Sequence, residues 1–229
     1  MPESRDTSMP QPPPLAPLQR LLDTVLVAVV RSPDDACLLD VAEALVAGGI
    51  EAIEITFTVP RAPQVLQRVA DRLGDSVLLG AGTVLDAETA RAAILAGARF
   101  LVSPVVAPEV VRMGRRYDCP AIAGALTPTE VFQAWQAGSD IVKVFPANVG
   151  GPGYLKALHG PLPHIRLMPT GGVDLQTATA FLKAGACALG VGTALVSREI
   201  LAARRWNELT QRARAYRDLV QDFRHRASG

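Results

Sequence analysis

The chain has 229 residues, of which 49% are hydrophobic, and its 23 basic and 22 acidic side chains leave a net charge of +1. This length is enough for one domain with a buried core. The near-zero charge gives no electrostatic reason to expect nucleic acid or an anionic membrane as a partner. The apolar runs are too short to cross a bilayer, and no charged-then-apolar leader opens the chain, so we expect a cytoplasmic globular protein.

The first segment, residues 1–17, carries six of the 18 prolines and few large apolar side chains. This composition predicts a disordered or extended arm that takes no part in the core, which leaves residues 18–229 for the folded domain. The three cysteines, Cys37, Cys119 and Cys187, lie far apart in apolar surroundings. They indicate buried thiols rather than a disulfide framework or a zinc site.

From Leu18 onward, apolar runs rich in β-branched residues alternate with stretches of helical periodicity. Because the runs are continuously apolar, they predict strands buried on both faces, as in a parallel sheet. Eight such strands alternating with helices indicate an α/β fold, a single (β/α)8 TIM barrel completed by a C-terminal helix. An open doubly wound sheet is the alternative, but no glycine-rich fingerprint follows the first strand. The predicted strands are Val25–Val30, Ala52–Phe57, Ser76–Val84, Arg99–Pro104, Ala121–Leu126, Asp140–Phe145, Ile165–Gly172 and Cys187–Gly192.

Capping residues mark the ends of the predicted helices. A side-chain oxygen at the N-cap accepts a hydrogen bond from the first turn, and a glycine after the last turn adopts the left-handed conformation that closes the helix. The predicted N-caps are Asp34, Asp86, Thr127 and Asp174, and the predicted closing glycines are Gly48, Gly97, Gly138 and Gly185.

In a barrel of this kind the active site lies at the carboxyl ends of the strands. Lys143 stands within the sixth strand, in the string IVKVF, whereas Lys156 and Lys183 lie on predicted helices. Inside a strand buried on both faces a lysine has little room to extend its ammonium to water. Burial favours the neutral amine, which attacks carbonyl carbons. We therefore predict a nucleophilic Lys143. The alternative is a lysine that reaches solvent or a structural carboxylate.

Glu54 occupies the same kind of position in the second strand, in the string AIEITF. A carboxylate held among isoleucine side chains has a raised pKa, which suits a group that moves protons. The alternative is a buried ion pair, for example with Lys143. Glu54 is therefore the predicted general acid and base.

Two glycine-containing strings follow the last two strands, namely Pro169-Thr170-Gly171-Gly172 and Gly192-Thr193. At these loops of the fold, backbone amides commonly bind a phosphate group, and the alternative is tight turns without a ligand. The histidines lie away from the predicted strand ends, and the sequence has no Cys/His cluster, so a metal-dependent mechanism lacks its usual ligands. A buried lysine, a buried carboxylate and phosphate loops predict Schiff-base chemistry on a phosphorylated keto compound.

These residues, in this order, resemble the family of 2-keto-3-deoxy-6-phosphogluconate (KDPG) and 4-hydroxy-2-oxoglutarate (KHG) aldolases. The resemblance extends from about Leu18 to Val196 and rests on the strings AGGIEAIEIT, GAGTVL, Ser103-Pro104, VKVFPA and PTGGV. It implies a homotrimeric barrel that needs neither metal nor cofactor. The implied activity is that of a class I lyase of the Entner–Doudoroff pathway, which cleaves KDPG to pyruvate and glyceraldehyde 3-phosphate.

The resemblance also implies roles for individual residues. Lys143 matches the Schiff-base lysine of the family, and Glu54 matches its general acid and base. The positions that match the family's substrate-binding residues are Thr83 for the pyruvate part, Pro104 and Phe145 for the pocket walls, and Thr170, Gly171, Gly172, Gly192 and Thr193 for the substrate hydroxyl and phosphate.

The chain departs from the family pattern after the second strand. Many members read EVTLR there, and the arginine binds the substrate carboxylate, whereas this chain ends that string at Thr58. We expect Arg31, at the end of the first strand, to supply the charge, and Arg61 to be a weaker candidate because its helix leads away from the pocket. An arginine at position 31 resembles the pattern of the branch that acts on 2-dehydro-3-deoxy-6-phosphogalactonate. A threonine at position 170 instead resembles the pattern of the gluconate branch.

Three alternative functions remain open. The same chemistry on the galactonate epimer or on 4-hydroxy-2-oxoglutarate is the nearest. A phosphate-binding barrel isomerase or epimerase is more distant, with Glu54 abstracting a carbon-bound proton and Lys143 acting as a fixed cation. A non-catalytic sugar-phosphate sensor would be marked by loss of one of these two residues, and both are present.

Overall fold

The structure is a computed structural model that describes residues 17–227. Eight parallel strands form one sheet in the order β7-β6-β5-β4-β3-β2-β1-β8. Two isolated bridges, Leu167 with Ala186 and Thr170 with Gly190, bring the two ends of the sheet together. The strands are β1 (Leu26–Val30), β2 (Ala52–Thr56), β3 (Leu78–Gly82), β4 (Phe100–Val102), β5 (Ala121–Ala125), β6 (Ile141–Val144), β7 (Leu167–Pro169) and β8 (Leu189–Val191).

The helices of the described range alternate with these strands, as the sequence pattern predicts. The single (β/α)8 TIM barrel is therefore confirmed. The helices are α1 (Pro17–Thr24), α2 (Leu38–Ala47), α3 (Ala62–Leu73), α4 (Ala87–Leu95), α5 (Pro108–Arg116), α6 (Pro128–Gln136), α7 (Gly151–His159), α8 (Ala178–Lys183), α9 (Arg198–Ala203) and α10 (Trp206–Ala227), with short 3-10 helices at Gly74–Ser76 and Ala147–Val149.

The strands separate two apolar cores. One core lies between the sheet and the helices, and the other fills the inside of the barrel. Because successive side chains of a strand point to opposite faces, residues two apart along a strand share the interior. The strand residues of the interior core are Val27, Ala52, Leu78, Phe100, Val102, Ile122, Ile141 and Met168.

Helix α1 closes the amino-terminal end of the barrel. Leu21 is fully buried in the interior core, and Leu18 and Leu22 pack against that core. Pro17, which the sequence assigns to the arm, is the first residue of α1. The rest of the predicted arm, residues 1–16, lies outside the described residues.

Helix α10 packs along α2 and joins the carboxyl end of the domain to its beginning. The Thr210 hydroxyl donates to the carbonyl of Ala44 at 2.9 Å. A Cβ on Gly48 would lie 2.3 Å from the Cβ of Ala213, so glycine at this position is what allows the two helices to approach. Gly48 itself has a right-handed φ of −84°.

Three of the four predicted closing glycines, Gly97, Gly138 and Gly185, are left-handed. Two of the four predicted N-caps are correct, whereas the N-cap of α8 is Thr177 rather than Asp174. Asp86 and Thr127 are N-caps whose side chains accept from the backbone of the first turn, and Thr127 forms a complete capping box. Asp34 lies four residues before α2 begins at Leu38, and it instead accepts from the amide of Ala36. None of the helices within residues 17–227 is both long enough and apolar enough to cross a membrane.

Candidate active site

Lys143 and Glu54 both point into the carboxyl-terminal half of the barrel. Glu54 follows the interior residue Ala52 by two positions on β2, and Lys143 follows the interior residue Ile141 by two positions on β6. The strand period therefore places both side chains on the inner face, above the apolar core. Only 1% of Glu54 and 5% of Lys143 is exposed.

The Glu54 carboxylate is buried and unpaired. Neither of its oxygens has a hydrogen-bond partner among the residues that the structure describes. Burial raises the pKa of Glu54, and the positive charges of Lys143 and Arg31 oppose that rise. A carboxyl group in this setting can hold a proton at higher pH than an exposed one, and its nearest charged neighbours are cations.

Glycine on the neighbouring strand makes room for this carboxylate. A Cβ on Gly82 would lie 1.8 Å from Oε1 of Glu54. Gly82 pairs with Thr56, two positions beyond Glu54 on β2. The carboxylate therefore leans over the end of β3, which brings it to the mouth of the barrel.

Lys143 lies between β5 and β7, where its register partners are Gly124 and Met168. A Cβ on Gly124 would lie 2.2 Å from the carbonyl carbon of Pro104, so the β4 loop packs directly beside the lysine strand. The ring centroid of Phe145 is 5.2 Å from Nζ of Lys143. The structure thus brings Pro104 and Phe145 to the side of the barrel that holds Lys143.

Thr170 follows β7 directly, two positions beyond the interior residue Met168. Its hydroxyl is buried and has no hydrogen-bond partner within residues 17–227. A Cβ on Gly190 would lie 2.2 Å from that hydroxyl oxygen, so glycine on β8 again leaves the space. A buried hydroxyl without a partner is costly unless a ligand or water bonds to it.

The loops that follow β7 and β8 carry the glycines expected to bind phosphate. Gly171 and Gly172 have φ angles of 90° and 73°, which a residue with a side chain rarely adopts. The Thr177 hydroxyl donates to the carbonyl of Gly172 at 2.9 Å and so holds this loop. Gly192 and the exposed Thr193 follow β8, next to β7. The two loops are therefore neighbours at the carboxyl end of the barrel.

Arg31 and Thr83 directly follow β1 and β3, the strands on either side of β2. Arg31 is exposed and forms no salt bridge with another described residue, but its charge acts on Glu54. Thr83 is partly buried and has a φ of 58°. Thr58 is turned toward its own strand, because its hydroxyl lies 2.8 Å from that of Thr56.

Arg61 is hydrogen-bonded to Asp35. Its Nε donates to Oδ2 of Asp35 at 3.0 Å, and Nη2 of Arg68 donates to the same oxygen at 3.3 Å. The hydrogen bond from Arg61 is the main reason that the pKa of Asp35 lies below its ordinary value. The buried Asp35 thus ties the loop after β1 to helix α3, a role that the sequence analysis did not assign.

The inner-face glycines Gly82 and Gly190 were also missed as site residues. The sequence does contain a signal for them. Side chains that point into the barrel recur at every second position of a strand, and Gly82 and Gly190 each lie an even number of positions after an interior residue of their own strand segment. Within residues 17–227, no group of three or more His, Cys, Asp and Glu side chains is placed to hold a metal ion.

Comparison with known proteins identifies the family of this chain. The family model of KDPG and KHG aldolases matches residues 18–212. This chain belongs to the KDPG and KHG aldolase family. It is therefore a lyase of the aldolase type, and the family resemblance read from the sequence is confirmed.

This chain is similar to aldolases that are named for the galactonate substrate and to others that are named for the gluconate substrate. It is 34% identical to a 2-dehydro-3-deoxy-6-phosphogalactonate aldolase of Escherichia coli K12, over 86% of this chain and 96% of that protein. It is also 34% identical to a 2-dehydro-3-deoxy-phosphogluconate aldolase of Pseudomonas aeruginosa, over 82% of this chain and 86% of that protein.

A solved structure of the family supports the fold and the chemistry. A KDPG aldolase from Legionella pneumophila, with pyruvate captured as a covalent carbinolamine intermediate, superimposes with a TM-score of 0.80 at 30% identity. The match covers 87% of this chain and 97% of that one.

Proposed function

We propose that this aldolase cleaves 2-keto-3-deoxy-6-phosphogluconate to pyruvate and glyceraldehyde 3-phosphate through a Schiff base on Lys143. The observation that carries the proposal is the buried pair of Lys143 and Glu54, in which the carboxylate has no hydrogen-bond partner among the described residues. A structural ion pair would satisfy those oxygens, whereas a catalytic carboxylate is left available for substrate or water.

The reaction follows from the chemistry of the two groups. The neutral amine of Lys143 attacks the C2 ketone, and the carbinolamine loses water to give an iminium ion. Glu54, directly or through a water, accepts the proton of the C4 hydroxyl while the C3–C4 bond breaks and its electrons pass into the iminium. Glyceraldehyde 3-phosphate leaves. The enamine takes a proton at C3, and water hydrolyses the imine to pyruvate and the free amine.

The remaining site residues bind the parts of the substrate that do not react. Arg31 and Thr83 hold the carboxylate end, since a buried anion needs a cation or several donors. Pro104 and Phe145 form the walls beside Lys143. Thr170 bonds a substrate hydroxyl, and the loops with Gly171, Gly172, Gly192 and Thr193 bind the phosphate through backbone amides.

Trapping the imine tests the proposal. Incubation with pyruvate and borohydride should add one pyruvate-derived mass to the protein, and peptide mapping should place it on Lys143. Lys156 and Lys183 serve as internal controls, because both are exposed on helices. Labelling of either control, or no labelling at all, would overturn the mechanism and favour the isomerase alternative.

The galactonate epimer is the second candidate substrate. Specific residues of the chain support the gluconate substrate, and others support the galactonate substrate. Arg31 and the absence of an arginine at Thr58 favour the galactonate branch, whereas Thr170 favours the gluconate branch. A steady-state comparison of kcat/KM for the two phosphorylated epimers and for 4-hydroxy-2-oxoglutarate decides between them. The gluconate proposal requires the highest value for KDPG.

We also propose that the protein works as a homotrimer in the cytoplasm. Apolar side chains that follow β3, β4 and β6 support an assembly, because Leu85, Val105 and Val149 are 51%, 50% and 70% exposed in the single chain. Light scattering coupled to size exclusion should give three times the mass of the chain. A monomer at micromolar concentration would contradict the assembly.

A further inference from the structure

A second pocket lies at the opposite end of the barrel from Lys143. It has a volume of about 170 Å³ and opens where β6 and β7 begin. The side chains that matter for its chemistry are Arg115, Trp135, Asp140, His164 and Arg166. The interior core, which includes Ile141 and Met168, lies between this pocket and the candidate active site.

Two guanidinium groups in this pocket are unpaired. Those of Arg115 and Arg166 form no salt bridge with any residue between 17 and 227, although many other arginines of the chain do. Gly138 makes room for the first of them, since a Cβ there would lie 2.3 Å from Cζ of Arg115. The positive charge is thus held against the backbone of the pocket wall.

The aromatic wall adds further donors. The rings of Trp135 and His164 meet edge to face with centroids 4.7 Å apart, and Trp135 is 41% exposed. Neither the indole nor the imidazole N–H has a hydrogen-bond acceptor among the described residues. Both can therefore donate to a ligand.

One carboxylate opposes this charge. Asp140 lines the pocket, and its Oδ2 accepts from the amide of Ala121 at 2.9 Å, which fixes it in place. Against it stand the full charges of Arg115 and Arg166, so the lining is net positive. Guanidinium groups favour phosphate because two N–H groups can bond one anion.

We propose that this pocket is a binding site for a small phosphorylated anion, separate from the active site. Its volume is well below the roughly 300–1,000 Å³ of pockets that enclose drug-sized ligands, so a phosphate on a short carbon chain fits and a nucleotide does not. The inference is independent of which substrate the aldolase cleaves.

The fluorescence of Trp135 reports on this site. Titration with glycerol phosphate or with inorganic phosphate should change it saturably, whereas glycerol should not. A higher affinity for glycerol phosphate identifies a phosphorylated metabolite as the ligand, and equal affinities identify phosphate itself. The signal should vanish in Trp135→Phe and persist after pyruvate has been trapped on Lys143.

Substitutions in this pocket should change its affinity for phosphate ligands in both directions. Arg115→Ala and Arg166→Ala should each weaken binding at least about tenfold, the loss expected for one charge-assisted hydrogen bond. Asp140→Asn keeps an acceptor for Ala121 but removes the opposing charge, and should tighten binding. Arg116→Ala is the matched control, one residue along α5 and outside the pocket lining, and should change nothing.

The proposal fails if no saturable signal appears or if the two arginine variants bind as tightly as Arg116→Ala. Arg115 and Arg166 are exposed and belong to different elements, so the second variant makes the same test should the first unfold. Thermal melting of each variant establishes that it is folded.

Discussion

Glu54 illustrates a conflict between stability and chemistry within a single residue. Its carboxylate lies in an interior that leaves both oxygens without partners in the described chain, and burial raises its pKa. Such a group destabilises the native state, because the unfolded chain would hydrate it. The proposed role of Glu54 in proton transfer accounts for this cost.

We predict that Glu54→Gln is more stable and far less active than the natural chain. The pKa of Glu54 rises on folding, so the native state gains from the protonated carboxyl below the unfolded value and loses that gain as pH rises through the folded value. The increase in Tm should therefore be larger at pH 8 than at pH 5, while kcat falls about 10²- to 10⁴-fold. A Tm that drops equally at both pH values would show that Glu54 has a stabilising partner.

Substitution experiments should distinguish the roles of Arg31 and Arg61. Arg31→Ala should raise KM about 10- to 150-fold, the equivalent of a lost charge-assisted hydrogen bond of about 1.5–3 kcal/mol. Its Tm should stay near that of the natural chain, because Arg31 has no salt bridge to another described residue. Steady-state kinetics and thermal melting measure the two effects.

Arg61→Ala is the matched control and should behave in the opposite way. It removes a hydrogen-bonding partner of the buried Asp35, so the Tm should fall while KM changes little. If Arg31→Ala melts early and keeps its KM, Arg31 is structural and backbone amides with Thr83 hold the carboxylate.

At the scale of elements, the positions of the strands could be predicted closely from the sequence. The side-chain contacts between different elements could not. All eight apolar runs are strands, because continuous hydrophobicity is a local property of the sequence. Gly82 was missed and the left-handed conformation predicted for Gly48 is wrong, since their roles depend on side chains from other elements, Glu54 and Ala213. Asp35 was missed for the same reason, as its partner Arg61 caps α3 and its partner Arg68 lies within that helix.

We predict that Gly82→Ala folds but loses activity. The new Cβ would collide with the Glu54 carboxylate and push it from its place over β3. A displacement of about 1 Å can reduce kcat about 100-fold. Gly153→Ala, where a Cβ meets nothing within 4 Å, is the control and should keep full activity. Equal activity of the two variants would mean that the carboxylate is not needed at that position.

At the scale of the whole molecule, the proposed mechanism uses the iminium ion formed on Lys143 as its electron sink. A divalent cation would otherwise have to polarise the carbonyl. We therefore predict that exhaustive treatment with EDTA leaves kcat unchanged in a coupled assay of pyruvate release. Loss of turnover that Mg²⁺ or Mn²⁺ restores would reverse this assignment.

The pairing of β1 with β8 has a consequence for biosynthesis. In register Leu26 faces Leu189, and the contact of α10 with α2 joins residues 166 positions apart. One edge of β1 therefore stays unpaired until the chain has been synthesised through β8, and an unpaired apolar edge invites association with other chains. The nascent protein is thus expected to depend on chaperones late in translation, even though each of its helices and strands is short.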